Sequence, residues 1–409
     1  MKVLVLNCGS SSVKYQLIEM EDEQVICKGI VERIGDDDAI LRYRPTGRPE
    51  KREVRPVANH AEAIDAFLAS LMDAEIGVIA DKDEIAAVGH RVVHGGEEFA
   101  GSVQIDDAVL ETIQACAAFA PLHNPHNLEG IRVCMELLPG IPQVAVFDTA
   151  FHQTMPPASY LYALPYSLYR KLKVRRYGFH GTSHLYVSHR AAELLGRPIT
   201  ECKIITCHLG NGASVAAVKH GTSVDTSMGF TPLEGLVMGT RCGDIDPALV
   251  LYIMDVEGLT PGDMDELLNK KSGMLGLTEL SHDFRDIEAK AQEEGGEQCD
   301  LALDIYCQRI KKYIGAYAAV MGGVDAVVFT GGIGEKSDIV RRRVCKDMEY
   351  LGIIFDEDVN QEHVPWNKDE PSTPHLSTGP TRVLVVPTNE ELVIARDTQE
   401  ILFPGGGGV

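Results

Sequence analysis

Residues Lys2 to Leu17 read KVLVLNCGSSSVKYQL. An aliphatic run, Val3 to Leu6, reaches Asn7 and breaks into Gly9-Ser10-Ser11-Ser12. An extended pattern then resumes through Val13, Tyr15 and Leu17. This is strand, polar glycine turn, strand. Such a turn can aim backbone N–H groups and three hydroxyls at an anion, with Lys14 as a nearby positive charge. Serine and glycine also favour ordinary hairpin turns, so one copy leaves both readings open.

The pattern recurs at Lys203 to Val218, KIITCHLGNGASVAAV. Laid over the first copy, Asn7 falls on His208, Gly9 on Gly210 and Ser10 on Asn211. A unit that appears once near the start of each half predicts a duplicated architecture. It strengthens nucleotide phosphate binding over a plain hairpin.

Composition narrows the class. A chain of 409 residues is too long for one compact core, so two domains are expected. The net charge of −22 argues against nonspecific nucleic-acid binding and against anionic membrane surfaces. It leaves room for an anionic substrate in a locally basic site. Met1-Lys2 leads straight into a strand, with no signal-peptide core and no apolar run of membrane-spanning length. The ten cysteines include no Cys-x-x-Cys pair and read as reduced thiols of a cytoplasmic protein. Cys8 and Cys242 sit in suspect loops that could make them reactive, but the favoured reading is tolerated small residues.

Periodicity predicts helices over 61–72, 106–118, 125–138, 184–195, 300–321, 338–351 and 389–402. It predicts strands over 85–93, 144–147, 325–330 and 382–386. The long helix carries Leu303, Tyr306, Ile310, Ile314 and Tyr317 on one stripe. Alternating strands and helices mean α/β. Segments 34–56 and 357–380 read as loops, and Gly405 to Gly408 as a frayed tail. The domains are expected at 1–150 with 386–409, and at 151–385.

Several loops carry chemistry. Arg91 lies in GHRVVHGGE and Arg241 in PLEGLVMGTRCGDIDP, both bracketed by glycines. Arginine's planar fork suits carboxylate and phosphoryl oxygens. His123 in PLHNP and His180 in YGFHGTSH sit between elements, where functional side chains gather. Gly181 permits close backbone approach, and Thr182-Ser183 are expected to cap the helix. Asp148 ends a strand, and Glu390 and Glu391 open the last helix. Carboxylates so placed suit magnesium, which takes one or two of them plus phosphates. VVFTGGIGEKS, residues 327–337, satisfies neither the P-loop nor the dinucleotide fingerprint. Its Gly331-Gly332 could let a flat base lie against bare backbone.

Ten co-linear segments carry a resemblance. They are NCGSSSVK, GHRVVHGGE, PLHNP, FDTAFHQTMP, YGFHGTSH, HLGNGAS, DTSMGFTPLEGLVMGTRCGDIDP, SHDFRD, FTGGIGEKS and PTNEE. Together the chain resembles the acetokinase family, end to end, within the actin- and hexokinase-like phosphotransferases. The resemblance implies duplicated actin-like ATPase (ribonuclease H-like) domains with a cleft between them. It implies reversible, magnesium-dependent transfer of the ATP γ-phosphoryl to acetate, with manganese as a substitute metal, in a homodimer. The arginines matching Arg91 and Arg241 hold the carboxylate and the phosphoryl group, with His180 stabilising the latter and His123 assisting. Asn7, Asp148 and Glu390 organise metal and phosphates. Ser10, Ser12 and Lys14, with His208, Leu209, Gly210, Asn211 and Gly212, face the ATP phosphates. Asp283, Phe284 and Arg285, with Gly331, Gly332, Ile333 and Gly334, match the adenosine pocket. Val93, Leu122, Phe179 and Pro232 match the apolar pocket for the methyl group. The alternatives are a propionate or butyrate kinase of the same family, or a non-catalytic actin-like ATP-binding module.

Overall fold

The computed structural model describes residues 1–121, 123–362 and 375–404. Contacts divide the chain into two units, Met1–Ala150 with the segment from Asn389 onward, and Phe151–Thr388.

The first unit holds β1 (Lys2–Cys8), β2 (Ser12–Glu19), β3 (Gln24–Glu32), β4 (Ala39–Pro45), β5 (Lys51–Arg55), β6 (Ile85–Val92), β7 (Val103–Gln104) and β8 (Gln143–Phe147). They form one sheet in the order β5-β4-β3-β2-β1-β6-β8-β7. β1 runs antiparallel to β2 and parallel to β6, and β6 runs parallel to β8. The central strands are apolar almost throughout, as strands covered on both faces must be. One face packs Leu4, Leu6, Val13 and Val88 against Ile64, Phe67 and Leu68 of helix His60–Leu71 and Cys134 of helix Asn124–Leu137. Asn59 caps the former helix by accepting the Glu62 N–H. The opposite face packs Val3, Val5, Val144 and Val146 against Ile394 and Ala395 of helix Glu390–Leu402. That helix lies so close to β6 that a Cβ on Gly89 would stand 2.5 Å from Thr398 Oγ1.

The second unit holds β9 (Lys203–Leu209), β10 (Ala213–Lys219), β11 (Thr222–Thr226), β12 (Ala326–Thr330) and β13 (Arg382–Val385). Their order is β11-β10-β9-β12-β13, with β9–β12 and β12–β13 parallel. Without the outer strands β5, β4 and β7, the first sheet has the same plan: an antiparallel pair, a central strand, then two parallel strands. The duplication expected from the repeated turn is therefore present in the topology, and the fold is α/β as expected. Helix Gly181–Leu194 covers one face through Val187, Ala191 and Ala192. Helix Glu297–Met321 buries the stripe Leu303, Tyr306, Ile310, Ile314 and Tyr317 against β9 and β10.

Several expectations require correction. Segment 34–56 is not a loop, because β4 and β5 lie in it. The burial of β4 alternates strictly, with Leu41 and Tyr43 inward and Arg42 and Arg44 outward, and every residue of β5 is exposed. Charged outer strands look polar in sequence, and the charge blunts the edge. Residues Glu357–Glu362 form a helix within the second expected loop. Helix Asp338–Cys345 ends six residues before the expected Leu351, and a short turn of helix Glu349–Leu351 follows. The glycine tail from Gly405 lies outside the described residues. Cys8 is buried, and burial pushes its thiol up to about 12; burial also raises Cys242. Neither has the low-pKa setting of a reactive thiolate. Among the described residues no helix is long and apolar enough to cross a membrane.

Candidate active site

In the first unit the site is built at the ends of the parallel strands. Arg91 is the penultimate residue of β6, and Asp148 follows the last residue of β8. The parallel register sets Arg91 beside Val146, so the arginine reaches forward to Asp148. Its Nε donates to Asp148 Oδ1 at 2.9 Å and its terminal nitrogen to Oδ2 at 2.6 Å. This is a two-pronged pair with a carboxylate that is 1% exposed. Glu390 opens helix Glu390–Leu402 and brings Oε2 to 4.0 Å from Arg91 Nε. Burial works against the Arg91 charge, but Asp148, Glu390 and Glu391 outweigh it and hold the pKa above its ordinary value. The same crowding acts oppositely on Glu390. Burial, then Asp148 and Glu391, push its carboxyl up to about 7 against the pull of Arg91 and Lys14.

Asn7 and Lys14 face each other across β1 and β2 and line one small pocket with Arg91, Glu390 and Glu391. The glycine turn follows at once. The Gly9 N–H donates to the Ser12 carbonyl at 2.8 Å, and Ser10 is exposed at the tip. Val93 is buried just beyond β6, its N–H bonded to Asn127 Oδ1. His123 precedes helix Asn124–Leu137. Leu122 lies outside the described residues.

The second unit builds its site from histidines and hydroxyls. His180 has a left-handed backbone, φ 57, and stands directly before helix Gly181–Leu194. The helix thus starts three residues before the expected 184, with His180 rather than Thr182 or Ser183 at its cap position. Ser183 is spent on His208 instead, with Oγ 2.7 Å from Nδ1. His180 Nδ1 is 2.9 Å from Ser214 Oγ, and His184 Nε2 is 2.8 Å from the same oxygen. The His180 and His208 rings stand 4.3 Å apart. Burial first, then the neighbouring His152 and His208, lower the His184 pKa well below its ordinary value, which keeps that ring neutral.

Arg241 is set differently from Arg91. Its NH1 reaches the Pro232 carbonyl at 3.3 Å and Met238 Sδ at 3.7 Å. Among the described residues no carboxylate pairs with it, and burial alone lowers its pKa. Arg241 and His180 meet over the second glycine turn. A Cβ built on Gly212 would stand 3.5 Å from Arg241 NH1 and 3.6 Å from His180 Nε2. The neighbouring Asn211 carbonyl accepts the Gly239 N–H at 3.0 Å, which ties the turn to the loop that carries Arg241.

The second turn is one residue shorter than the first. Cys8 pairs with Val13 in one hairpin, Leu209 with Ala213 in the other. The sequence overlay therefore holds up to the turn and slips after it, so that Ser214 occupies the place of Lys14. Sequence reasoning passed over Ser214 and His184. His184 carried a signal, one helical turn from His180. Ser214 becomes visible only through the pairing with His208.

The remaining expected residues spread along the same unit. Gly331 has φ +76, and a Cβ there would lie 2.7 Å from the Leu209 carbonyl oxygen. This joins the GGIG segment to the end of β9, with Gly332 exposed and Ile333 half-buried beside it and Gly334 buried. Asp283 caps helix Phe284–Ala291 and pairs with the exposed Arg285. The Phe284 ring is buried edge-on against Tyr306. Phe179 is buried, with its carbonyl 3.0 Å from His152 Nε2.

Comparison with known proteins gives these sites a context. The acetokinase family model matches residues 2–396. The chain is 59% identical to an acetate kinase of Thermotoga maritima, over 98% of this chain and 99% of that one. It is 55% identical to an acetate kinase of Carboxydothermus hydrogenoformans at the same coverage. The crystal structure of Porphyromonas gingivalis acetate kinase superposes with a TM-score of 0.92 at 50% identity, covering 98% and 99% of the two chains. A propionate kinase from Francisella tularensis superposes at 0.89 with 40% identity, covering 98% and 100%. The chain belongs to the acetokinase family.

Proposed function

We propose that the chain transfers the γ-phosphoryl group of ATP to acetate, reversibly, giving acetyl phosphate and ADP. The observation that carries this reading is Arg241: a half-buried arginine that meets no carboxylate among the described residues, beside His180, over a glycine turn. A partly desolvated cation gains when an anion arrives to pair with it. A phosphoryl group in transfer spreads negative charge over three oxygens, which Arg241 and His180 are suited to receive.

The acceptor needs little activation. Acetate is ionised at neutral pH, so no general base has to remove a proton, as a sugar hydroxyl would require. The work is to hold two anions in line and offset their charge. Arg91 takes the acetate carboxylate. Asp148 fixes the guanidinium plane by accepting from Nε and one terminal nitrogen along a single edge, which makes Asp148 a positioning residue. The carboxylate oxygens of Glu390 and Glu391 with the amide oxygen of Asn7 are a hard-oxygen set of the kind magnesium or manganese takes. Three acids around one arginine leave negative charge in excess there, which adds to burial in raising the Glu390 pKa. Magnesium bound there would offset phosphate charge. Lys14 and the N–H groups of the first turn, and those of His208–Gly212, bind phosphates. The backbone of Asp283–Arg285 and of Gly331–Gly334 receives the adenosine. Val93, Phe179 and Pro232 shape the acyl specificity, and His123 assists at the phosphoryl group.

We also read the chain as a cytoplasmic homodimer. Its ten cysteines are all free thiols. Helix Pro247–Glu257 buries none of its residues and exposes Leu251, Tyr252 and Val256, an apolar face that calls for a partner. Light scattering of a Leu251→Glu, Val256→Glu variant tests this: the dimer falls to a monomer, and an unchanged mass refutes the assignment.

The activity is tested by trapping acyl phosphate as hydroxamate with ATP, magnesium and acetate, propionate or butyrate in parallel. The expected order is acetate, then propionate, then butyrate. One methylene changes discrimination by only about 1–3 kcal/mol, so some propionate turnover is expected. Folded protein that binds ATP and makes no acyl phosphate would leave a nucleotide-binding module instead.

A further inference from the structure

One cluster in the first unit carries metal-binding chemistry that the phosphoryl transfer does not use. His60 opens helix His60–Leu71, and His126 and Glu129 lie one turn apart on helix Asn124–Leu137. One ligand atom from each side chain lies within 4.8 Å of the others. His60 Nδ1 is 3.5 Å from Glu129 Oε2, and His126 Nδ1 is 3.8 Å from that same oxygen. The two rings are stacked with centroids 5.5 Å apart.

The tautomer of His60 follows from its other nitrogen. Nε2 stands 2.7 Å from the Gly9 carbonyl oxygen. A carbonyl only accepts, so Nε2 carries the hydrogen, and in the neutral ring Nδ1 presents its lone pair. That lone pair faces the Glu129 carboxylate. Two lone pairs turned toward each other repel, and a cation between them reverses the sign. Metal-ligating histidines have this arrangement, one nitrogen on the metal and the other donating to a carbonyl or carboxylate.

The spacing fits a small ion. Zinc bonds of roughly 2.0–2.2 Å place tetrahedral ligand atoms about 3.3 Å apart. The two separations to Glu129 exceed this by half an ångström or less, and all three ligand atoms lie within 4.8 Å of one another. Access is available as well. The Glu129 and His126 side chains are 46% and 33% exposed, while His60 is 5% exposed at the base. Two imidazoles and one carboxylate select zinc, cobalt, nickel or copper, whereas magnesium prefers all-oxygen sites.

We propose that His60, His126 and Glu129 bind one zinc-class divalent ion, with water completing its shell, at a site separate from Asp148 and Glu390. The site is tied to the first glycine turn. His60 holds the Gly9 carbonyl, and Asn127, next to His126, donates to the Cys8 carbonyl at 2.7 Å. An ion joining the two helices would brace the turn from behind.

The test uses the full chain, stripped of metal and held in excess magnesium so that oxygen-only sites are filled. Cobalt is titrated and followed by its visible ligand-field absorption, and zinc by calorimetry. The wild type is expected to take up one equivalent with the intense absorption of tetrahedral cobalt. His126→Ala and Glu129→Gln, both at accessible positions, are expected to bind at least about tenfold more weakly with unchanged circular dichroism. No cobalt absorption from the wild type would overturn the proposal and leave His60–Glu129 as an ion pair. Identical titrations of wild type and both variants would overturn it equally.

Discussion

The two units share one sheet plan and surround their arginines in opposite ways. Arg91, at the end of β6, is held along one edge by both oxygens of Asp148 and approached by Glu390. Arg241, in a loop of the other unit, meets a carbonyl and a thioether and no carboxylate among the described residues. The first environment is over-supplied with negative charge, so an anion at Arg91 calls for a cation bound beside it; the second lacks that negative charge and suits an anion directly. The difference shows that a duplicated scaffold supplies positions rather than chemistry. Neighbouring residues decide what each arginine does: carboxylates in one unit, histidines and hydroxyls in the other.

The sharpest way to break the comparison is to remove the uncompensated charge. Arg241→Ala is expected to lower kcat by about 10³ or more, on the scale of arginines that meet a transferring phosphoryl group. Steady-state acyl phosphate formation measures it, and a loss below tenfold in folded protein takes Arg241 out of the mechanism. His180→Ala removes one donor beside it and is expected to lower kcat by about 10²-fold. A change confined to the KM for acetate would instead place His180 with the acceptor.

The acid-rich side is sharpened by pH. The Glu390 carboxyl is pushed up to about 7, so below that pH it is protonated and a divalent cation must displace the proton. Above that pH the carboxylate is already charged. The half-saturating magnesium concentration is therefore expected to rise as pH falls below 7, by up to about tenfold per unit. Glu390→Gln should flatten that profile. A wild-type magnesium requirement independent of pH between 6 and 8 would contradict the assignment. The smallest effect concerns backbone. Gly331→Ala must accommodate a positive φ and a methyl group against the Leu209 carbonyl. It is expected to cost about 1–3 kcal/mol of stability in chemical denaturation. An unchanged midpoint would mean the segment shifts freely, and the approach of Gly331 to β9 is not needed.

Much of this was legible in the sequence, for physical reasons. The glycine turns stood out because a strand must break to expose backbone N–H groups. Arg91, His180 and Arg241 stood out because glycines bracket them. The pairing of Arg91 with Asp148 was not legible, because 57 residues separate them and only the parallel β6–β8 register brings them together. Ser214 was hidden by the shorter second turn. β4 was missed although its alternation is regular, since its outward arginines and Pro45 resemble a loop. The exposed helix Pro247–Glu257 shows no buried stripe, so its periodicity had nothing to report.

The central claim is that Arg91 serves the carboxylate and Arg241 the phosphoryl group. The most direct measurement is the acetate dependence of acetyl phosphate formation by Arg91→Ala, with folding and ATP binding verified. The account predicts a KM for acetate raised at least about tenfold and a smaller change in kcat, the reverse of the Arg241→Ala pattern. An unchanged KM for acetate with a collapsed kcat would contradict it, because both arginines would then serve the same group.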